Sequence, residues 1–292
     1  MKLAIITPTF SRDLPLLELS AESVDRHCSA DIHHYIVVSR REERLFRHLK
    51  SSRRSVLVTE DVACRPIHLL PMLVRGQQLW FSDRRRFVRG WIMQQAIKIS
   101  SPEITDADVI LFLDTDVFFI RPFSADRVVQ DGRVRLLVSP GMGDLDTHKP
   151  WHRTAAKLLG LPIRDYFGAD FIGHAVTWRR DVCLEMRERI SSVAGTNWFS
   201  TVTREQLFSE YILYGIFVQE LLGPNDLRHA PTSEELCLSS WVEGSAELLA
   251  QRLQPHHVAV NIQSNLHLPM PEVRRLLNSV MAVAETNPEP RY

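Results

Sequence analysis

The sequence predicts an α/β fold built on a nucleotide-binding type of half-sheet, and three observations carry that prediction. The chain opens as a strand, a polar loop and a helix. Strand-then-polar units recur through the first sixty residues. Further on, a long apolar run from Val109 to Phe119 is interrupted by two carboxylates one residue apart, Asp114 and Asp116. In open α/β sheets, ligands sit at the loops beyond the carboxyl ends of such strands.

Leu3 to Thr7 reads as a short buried strand ended by Pro8, and Thr9 to Asp13 as a polar turn. From Leu14 to His27, Leu16, Leu17, Ala21 and Val24 recur at helical spacing. His34 to Ser39 is a second strand, Arg41 to Lys50 a helical stretch, and Val56 to Thr59 a third strand. The absence of GxGxxG excludes the dinucleotide fingerprint. Residues 66–88 read as a loop or small insertion. Gly90 to Ile99 is a helix carrying Trp91, Gln94, Gln95 and Lys98 on one face, a mixture that suits the wall of a ligand cleft better than a core.

The run from Val109 to Phe119 has the β-branched and aromatic composition of a buried strand. Alternate side chains of an extended segment share a face, so Asp114 and Asp116 are expected to point one way and Thr115 the other. Burying two carboxylates is costly unless something positive meets them, and a hard divalent cation suits the pair. Three readings compete. The aspartates cap a turn; Asp114 is the nucleophile of a phosphatase or phosphotransferase; or the pair holds Mg²⁺ or Mn²⁺ against a nucleotide diphosphate. The third also explains the half-sheet upstream.

Beyond this run, Arg133 to Ser139 is a strand and Pro140 to Asp146 a polar loop. His148 to Leu159 is a helix closed by Gly160. The segment Tyr166 to His174 leads into a strand through Trp178, followed by a helix from Asp181 to about Val193. The helix around Phe208 to Gly215 is given Thr203 as N-cap, with Gln206 as its capping-box partner. Val258 to Ile262 is a late strand, a last helix runs from about Pro271 to Ala284, and the tail from Asn287 frays. Trp178, Trp198 and Trp241 are expected in the core. No linker divides the chain, so residues 1–292 are taken as a single domain.

Lys+Arg and Asp+Glu balance at 35 each, which argues against a nucleic-acid partner. Four widely separated cysteines give neither a zinc signature nor a disulfide framework and fit a reduced cytoplasm. No apolar run approaches the roughly 18 residues of a membrane helix, and the start is too soon interrupted for a signal peptide. Arginines crowd the first third, at Arg40-Arg41, Arg53-Arg54 and Arg84-Arg85-Arg86. They read as solvated surface or as a wall facing a phosphorylated ligand or an anionic membrane.

Four motifs in order carry a resemblance: the strand end Thr7-Pro8-Thr9, the helix from Gly90 to Lys98, the segment Leu111 to Phe119, and Ser209-Glu210-Tyr211-Ile212-Leu213-Tyr214-Gly215. Together, over residues 3–265, they resemble bacterial glycosyltransferases of the GT-A fold. More narrowly they resemble a poorly characterised bacterial DUF-type family linked to surface polysaccharides. The resemblance implies a Rossmann-like α/β/α sandwich with a mixed central sheet. Its nucleotide-binding half would be about 1–120 and its acceptor-side half about 121–285. It further implies a metal-dependent transferase moving a sugar from a nucleotide-sugar to a glycan or lipid-linked acceptor, in the cytoplasm or at the inner face of the membrane.

By the same resemblance, Asp114 and Asp116 bind Mn²⁺ or Mg²⁺, with Asp116 the more direct ligand. Thr7, Pro8, Thr9 and Thr115 border the nucleotide, and Gln95 and Lys98 lie on the helix beside the donor, Lys98 meeting a phosphate or an acidic partner. A third ligand, commonly a histidine near a late strand, has His256, His257 and His267 as candidates, with His267 carried forward. Glu210 is the candidate general base. Asp170, flanked by small glycines, is the competing choice or a binder of sugar hydroxyls. A non-catalytic GT-A-like binding module is the remaining alternative.

Overall fold

The computed structural model describes residues 1–74, 77–82, 86–141, 146–240 and 248–286. Arg75-Gly76, Arg84-Arg85, most of the Pro140 to Asp146 loop, Trp241 and the tail lie outside the described residues. In chain order the elements are β1 (Leu3–Pro8), α1 (Leu14–His27), β2 (His33–Val38), α2 (Glu43–Phe46), β3 (Arg54–Val58) and α3 (Thr59–Val62). Next come β4 (Ile67–Val74), β5 (Gln77–Ser82), β6 (Phe87–Arg89), α4 (Gly90–Ile99), α5 (Ser101–Ile104), β7 (Val109–Leu113) and β8 (Val117–Phe119). Then follow β9 (Val129–Gln130), β10 (Arg133–Leu137), β11 (Ser139–Pro140), α6 (Lys149–Leu159), β12 (Ala169–Asp170), β13 (Ala175–Arg179), α7 (Arg180–Ala194) and α8 (Trp198–Val202). The last are α9 (Glu210–Ile216), β14 (His229–Thr232), β15 (Cys237–Ser240), α10 (Leu249–Arg252), β16 (Ala259–Ile262) and α11 (Met270–Thr286).

The central sheet has the order β13-β7-β1-β2-β3. Strands β7, β1, β2 and β3 run parallel, and β13 pairs antiparallel with β7 at one edge. The expected α/β class and mixed sheet are therefore present. Parallel strands covered on both faces must be apolar throughout, and β7 obeys this, with all five residues fully buried. Such burial contributes roughly 1.5–3 kcal/mol per large side chain. One core joins α4, α6, α7 and α9 to the sheet around Phe112, Trp178 and Tyr214. Trp178 stacks on Tyr214, 4.4 Å between ring centroids, and Trp198 is also buried, as expected of core tryptophans.

Gly160 and Gly215 each meet a demand of geometry. Gly160 ends α6 in the left-handed conformation at φ 66°. Gly215 on α9 lies under Phe171, whose ring a Cβ would meet at 2.0 Å.

Besides the strands β14 and β15, for which the sequence reading gave no element, the structure differs from it in three further places. The run from Val109 to Phe119 is not one strand. The chain leaves the central sheet after Leu113, turns through Asp114 to Asp116, and enters a second sheet as β8, which pairs with β16, itself beside β15. Apolar content continues across the turn because both sheets are buried, so composition hides the break. Second, residues 66–88 contain a three-stranded antiparallel sheet, β4-β5-β6. Ile67, Trp80 and Val88 of this sheet enter the core, while His68, Phe81 and Phe87 stand on its other side. Third, Ser209, not Thr203, caps α9 by accepting from Ile212 N. Thr203 closes α8 instead, its hydroxyl donating to Phe199 O at 2.7 Å.

Candidate functional site

A cleft of about 660 Å³ opens where β1, β2, β3 and β7 end. Pro8 and Thr9 reach it from β1, Val37 from β2, Thr59 from the end of β3 and Asp114 from the end of β7. Its opposite wall is α4, which presents Trp91, Gln94, Gln95 and Lys98, the face singled out by spacing. Asp116 and Thr115 lie on the turn, Glu210 and Tyr211 come from the start of α9, and Gln263, Ser264 and Asn265 follow β16.

Lys98 organises the charge. Its Nζ lies 2.9 Å from Glu210 Oε1 and 3.2 Å from Asp114 Oδ1, and it donates to Tyr211 Oη at 2.8 Å. It also sits 4.5 Å from the Tyr211 ring centroid. Burial would lower the Lys98 pKa, but Asp114 and Glu210 outweigh it and hold it well above the usual value. Burial likewise pushes the Asp114 carboxyl up, yet Lys98 and then His174 bring it well below the ordinary carboxylate range. Gln95 braces the same group: its Oε1 accepts from Glu210 N at 3.0 Å, fixing the first turn of α9 against α4.

Asp116 is held differently. It is 8% exposed. Asn261 Nδ2 donates to its Oδ1 and Ser264 N to its Oδ2, both at 2.8 Å. Its backbone oxygen accepts from Ile262 N. Among the described residues no lysine or arginine pairs with it. Burial, and then the charge of Asp114, pushes its pKa up. The two carboxylates thus differ: Asp114 is compensated by a buried lysine, and Asp116 is oriented by hydrogen bonds while its charge stays costly.

Of the residues expected at the site, Pro8, Thr9, Gln95, Lys98, Asp114, Thr115, Asp116 and Glu210 border this cleft. Thr7, Asp170 and His267 are not among its lining. The Thr7 hydroxyl shares a hydrogen bond with the buried His34 ring at 2.9 Å. Asp170 is 2% exposed; its Oδ2 bonds His148 and its Oδ1 accepts from Phe171 N and Ile172 N, so it braces the loop behind the cleft. His267 follows the short helix Ser264–Leu266 in a left-handed conformation. His256 and His257 lie before β16 and also outside the lining.

Sequence reasoning missed His174, which lines the cleft with Nδ1 3.9 Å from Asp114 Oδ2. It missed Asn261 as well, because a polar residue inside a buried strand gives no hint of which turn it reaches. Phe10, Trp80 and Trp151 complete the aromatic part of the wall. Trp91 and Trp151 lie 5.9 Å apart by ring centroid, with His148 stacked on Trp151 at 4.6 Å.

No group of three or more His, Cys, Asp or Glu suited to a metal is found among the described residues. What the chain offers a cation is the Asp114–Asp116 pair. That donor set fits Mg²⁺ or Mn²⁺, hard ions that take one or two carboxylates and fill their remaining positions with water and phosphate oxygens. The uncompensated charge of Asp116 is the observation that fits it.

No helix among the described residues is long and apolar enough to cross a membrane. No curated protein matches the chain. Among solved structures, the galactosyltransferase LgtC, crystallised with donor and acceptor sugar analogs, is 12% identical with a TM-score of 0.49, over 94% of this chain and 95% of that one. The profile of a family of unknown function, DUF6492, matches residues 1–285, and the chain belongs to that family.

Proposed function

We propose that this cleft is the donor site of a GT-A-type, metal-dependent glycosyltransferase that moves a sugar from a nucleotide-sugar to a hydroxyl acceptor. The observation that carries the reading is the placement of Asp114 and Asp116 on one turn at the carboxyl edge of the sheet, facing one cleft. A bound Mn²⁺ or Mg²⁺ would supply positive charge to a leaving diphosphate. Asp116 and Asp114 would hold it, Asp116 pre-oriented by Asn261 and Ser264. Thr9, beyond β1, and Thr59, beyond β3, border the space left for the nucleoside.

Glu210 is the chemical group in this proposal. Its carboxylate is 6% exposed, faces the cleft and is held in place by Lys98, with its backbone fixed by Gln95. There it can accept the acceptor's proton, or steady positive charge at the reacting carbon. Asp170 supports the wall through Ile172, which lines the cleft. The phosphotransferase alternative would use Asp114 as the nucleophile, and turnover of a generic aryl phosphate would favour it.

The test is calorimetry of the wild type and Asp116→Asn with uridine, guanosine and other nucleoside diphosphates, with and without Mn²⁺. The proposal expects metal-dependent binding of one nucleotide that is lost in the variant. Binding of none, or binding indifferent to metal, overturns it.

A further inference from the structure

The sheet β4-β5-β6 has two apolar sides. On β5, residues alternate between them: Gln78 and Trp80 face the cleft, and Phe81 faces away. The outward side carries His68, Phe81 and Phe87, register partners in one row across the three strands. The Phe81 and Phe87 rings are 5.7 Å apart, and Phe87 is 66% exposed. Ordinary soluble surfaces leave large apolar groups singly exposed, whereas a paired aromatic row at a sheet face signals contact with something.

Positive charge gathers around this row. An open groove of about 710 Å³ runs beside β4 and is lined by Arg41, Arg65 and His68. Arg86 immediately precedes Phe87, and both are exposed. Arg41, Arg65 and Arg86 form no ion pair among the described residues. Arg40 and Glu60 line the same groove; Arg40 pairs with Asp61, and Glu60 Oε2 accepts from the Arg40 backbone N–H at 2.8 Å, so the groove and its rim hold three arginines beside these two carboxylates, with Arg86 a fourth next to Phe87. The chain as a whole is neutral, so this concentration is local.

We propose that this face docks on an anionic lipid bilayer, with Phe81 and Phe87 at headgroup level and Arg41, Arg65 and Arg86 meeting lipid phosphates. An exposed phenylalanine, Phe87, set against the half-buried Phe81 and rimmed by cations suits the interfacial zone, where the ring buries and guanidinium groups find phosphate. An extended protein partner adding to the free edge of β4 is disfavoured by Pro71 within the strand and by the register shift between Leu69 and Leu73. The docking face is the outer side of the strand whose inner side lines the cleft, so attachment would leave the cleft itself open. The proposal stands independently of the glycosyltransferase reading.

The test is co-sedimentation of the full chain with vesicles of phosphatidylcholine alone and with about one third phosphatidylglycerol. Wild type should partition onto the anionic vesicles and stay off the neutral ones. Arg41→Ala/Arg65→Ala should lower partitioning about 30-fold, near fivefold per arginine. Phe87→Ser should lower it several-fold, and what remains should vanish at high salt. All three positions are exposed, and an unchanged thermal midpoint shows each variant folded. Equal partition onto neutral vesicles, or unaltered binding by both variants, overturns the proposal. So does displacement by polyglutamate together with wild-type binding by Phe87→Ser, which assigns the face to an acidic protein instead.

Discussion

Lys98→Met tests the electrostatic core of the site. Lys98 is 6% exposed and is the shared cation of Asp114 and Glu210. Methionine preserves the length and the packing against Tyr211 but leaves two carboxylates uncompensated. Orphaning a buried ion pair costs about 3–5 kcal/mol. Glu210 is 6% exposed, but Asp114 is 40% exposed to the cleft, so water screens part of its share and the expected loss is about 3 kcal/mol. In a chain of 292 residues that is a fall of roughly 5 °C in Tm. The sign with pH follows from the direction of each shift. The depressed Asp114 pKa contributes stability that is present above its unfolded value, near about 4, and lost as pH falls through the lower folded value. The raised Lys98 pKa contributes stability present below its unfolded value, about 10.4, and lost as pH rises through the folded one. The full penalty therefore spans roughly pH 5 to 9, and the gap between wild type and variant should narrow below about pH 4 as the Asp114 contribution is lost. Urea unfolding of both proteins across this range measures it. A gap under about 1 kcal/mol at neutral pH, or one that ignores pH, refutes the assignment of Lys98 as the compensating charge.

Asp116 has the opposite shift, so acidification should weaken metal-dependent nucleotide binding, by at most about tenfold per pH unit once its proton competes with the cation. Calorimetry at several pH values checks this, and a pH-independent affinity would remove Asp116 from the metal site. Glu210→Gln should lower sugar transfer by at least about 100-fold while leaving nucleoside diphosphate affinity within a few-fold, as read by donor turnover and calorimetry together. Gly215→Ala should cost about 3 kcal/mol or abolish soluble expression, because the new methyl has only the buried Phe171 ring to displace. Chemical denaturation measures it, and a loss below about 1 kcal/mol would mean that the ring moves freely.

What the sequence made legible follows from how each signal arises. Strand β7 is apolar along its whole length and β1 over Leu3 to Ile6, because both faces of the sheet are covered there, while β2 and β3 are continuously apolar only at Ile36 to Val38 and Val56 to Val58, so composition located the first pair whole and the second by their carboxyl-terminal halves. Trp91, Gln94, Gln95 and Lys98 announced the cleft because helical spacing places a mixed polar face on one side wherever the helix sits. The partners of Lys98 were less accessible. Glu210 lies 112 residues further on, and only the packing of α9 on α4 brings it within 2.9 Å. Asn261, His174 and the division between β7 and β8 are tertiary facts of the same kind. Asp170 shows the converse. Its flanking glycines suggested close ligand approach, but the short loop needed an acceptor for the backbone N–H groups of Phe171 and Ile172, and the carboxylate serves them.

The break between β7 and β8 gives the two aspartates separate anchors. Asp114 is tied through Lys98 to the helix covering the central sheet, and Asp116 is tied to Asn261 and Ser264 in and beyond the second sheet. The span between their carboxylates therefore gauges the spacing of the two sheets. Anything that bridges them acts as a staple across the molecule. Amide hydrogen exchange in β15 and β16, behind the turn, should slow when the bridge forms, and sliding of one sheet on the other should open the grip before either sheet unfolds.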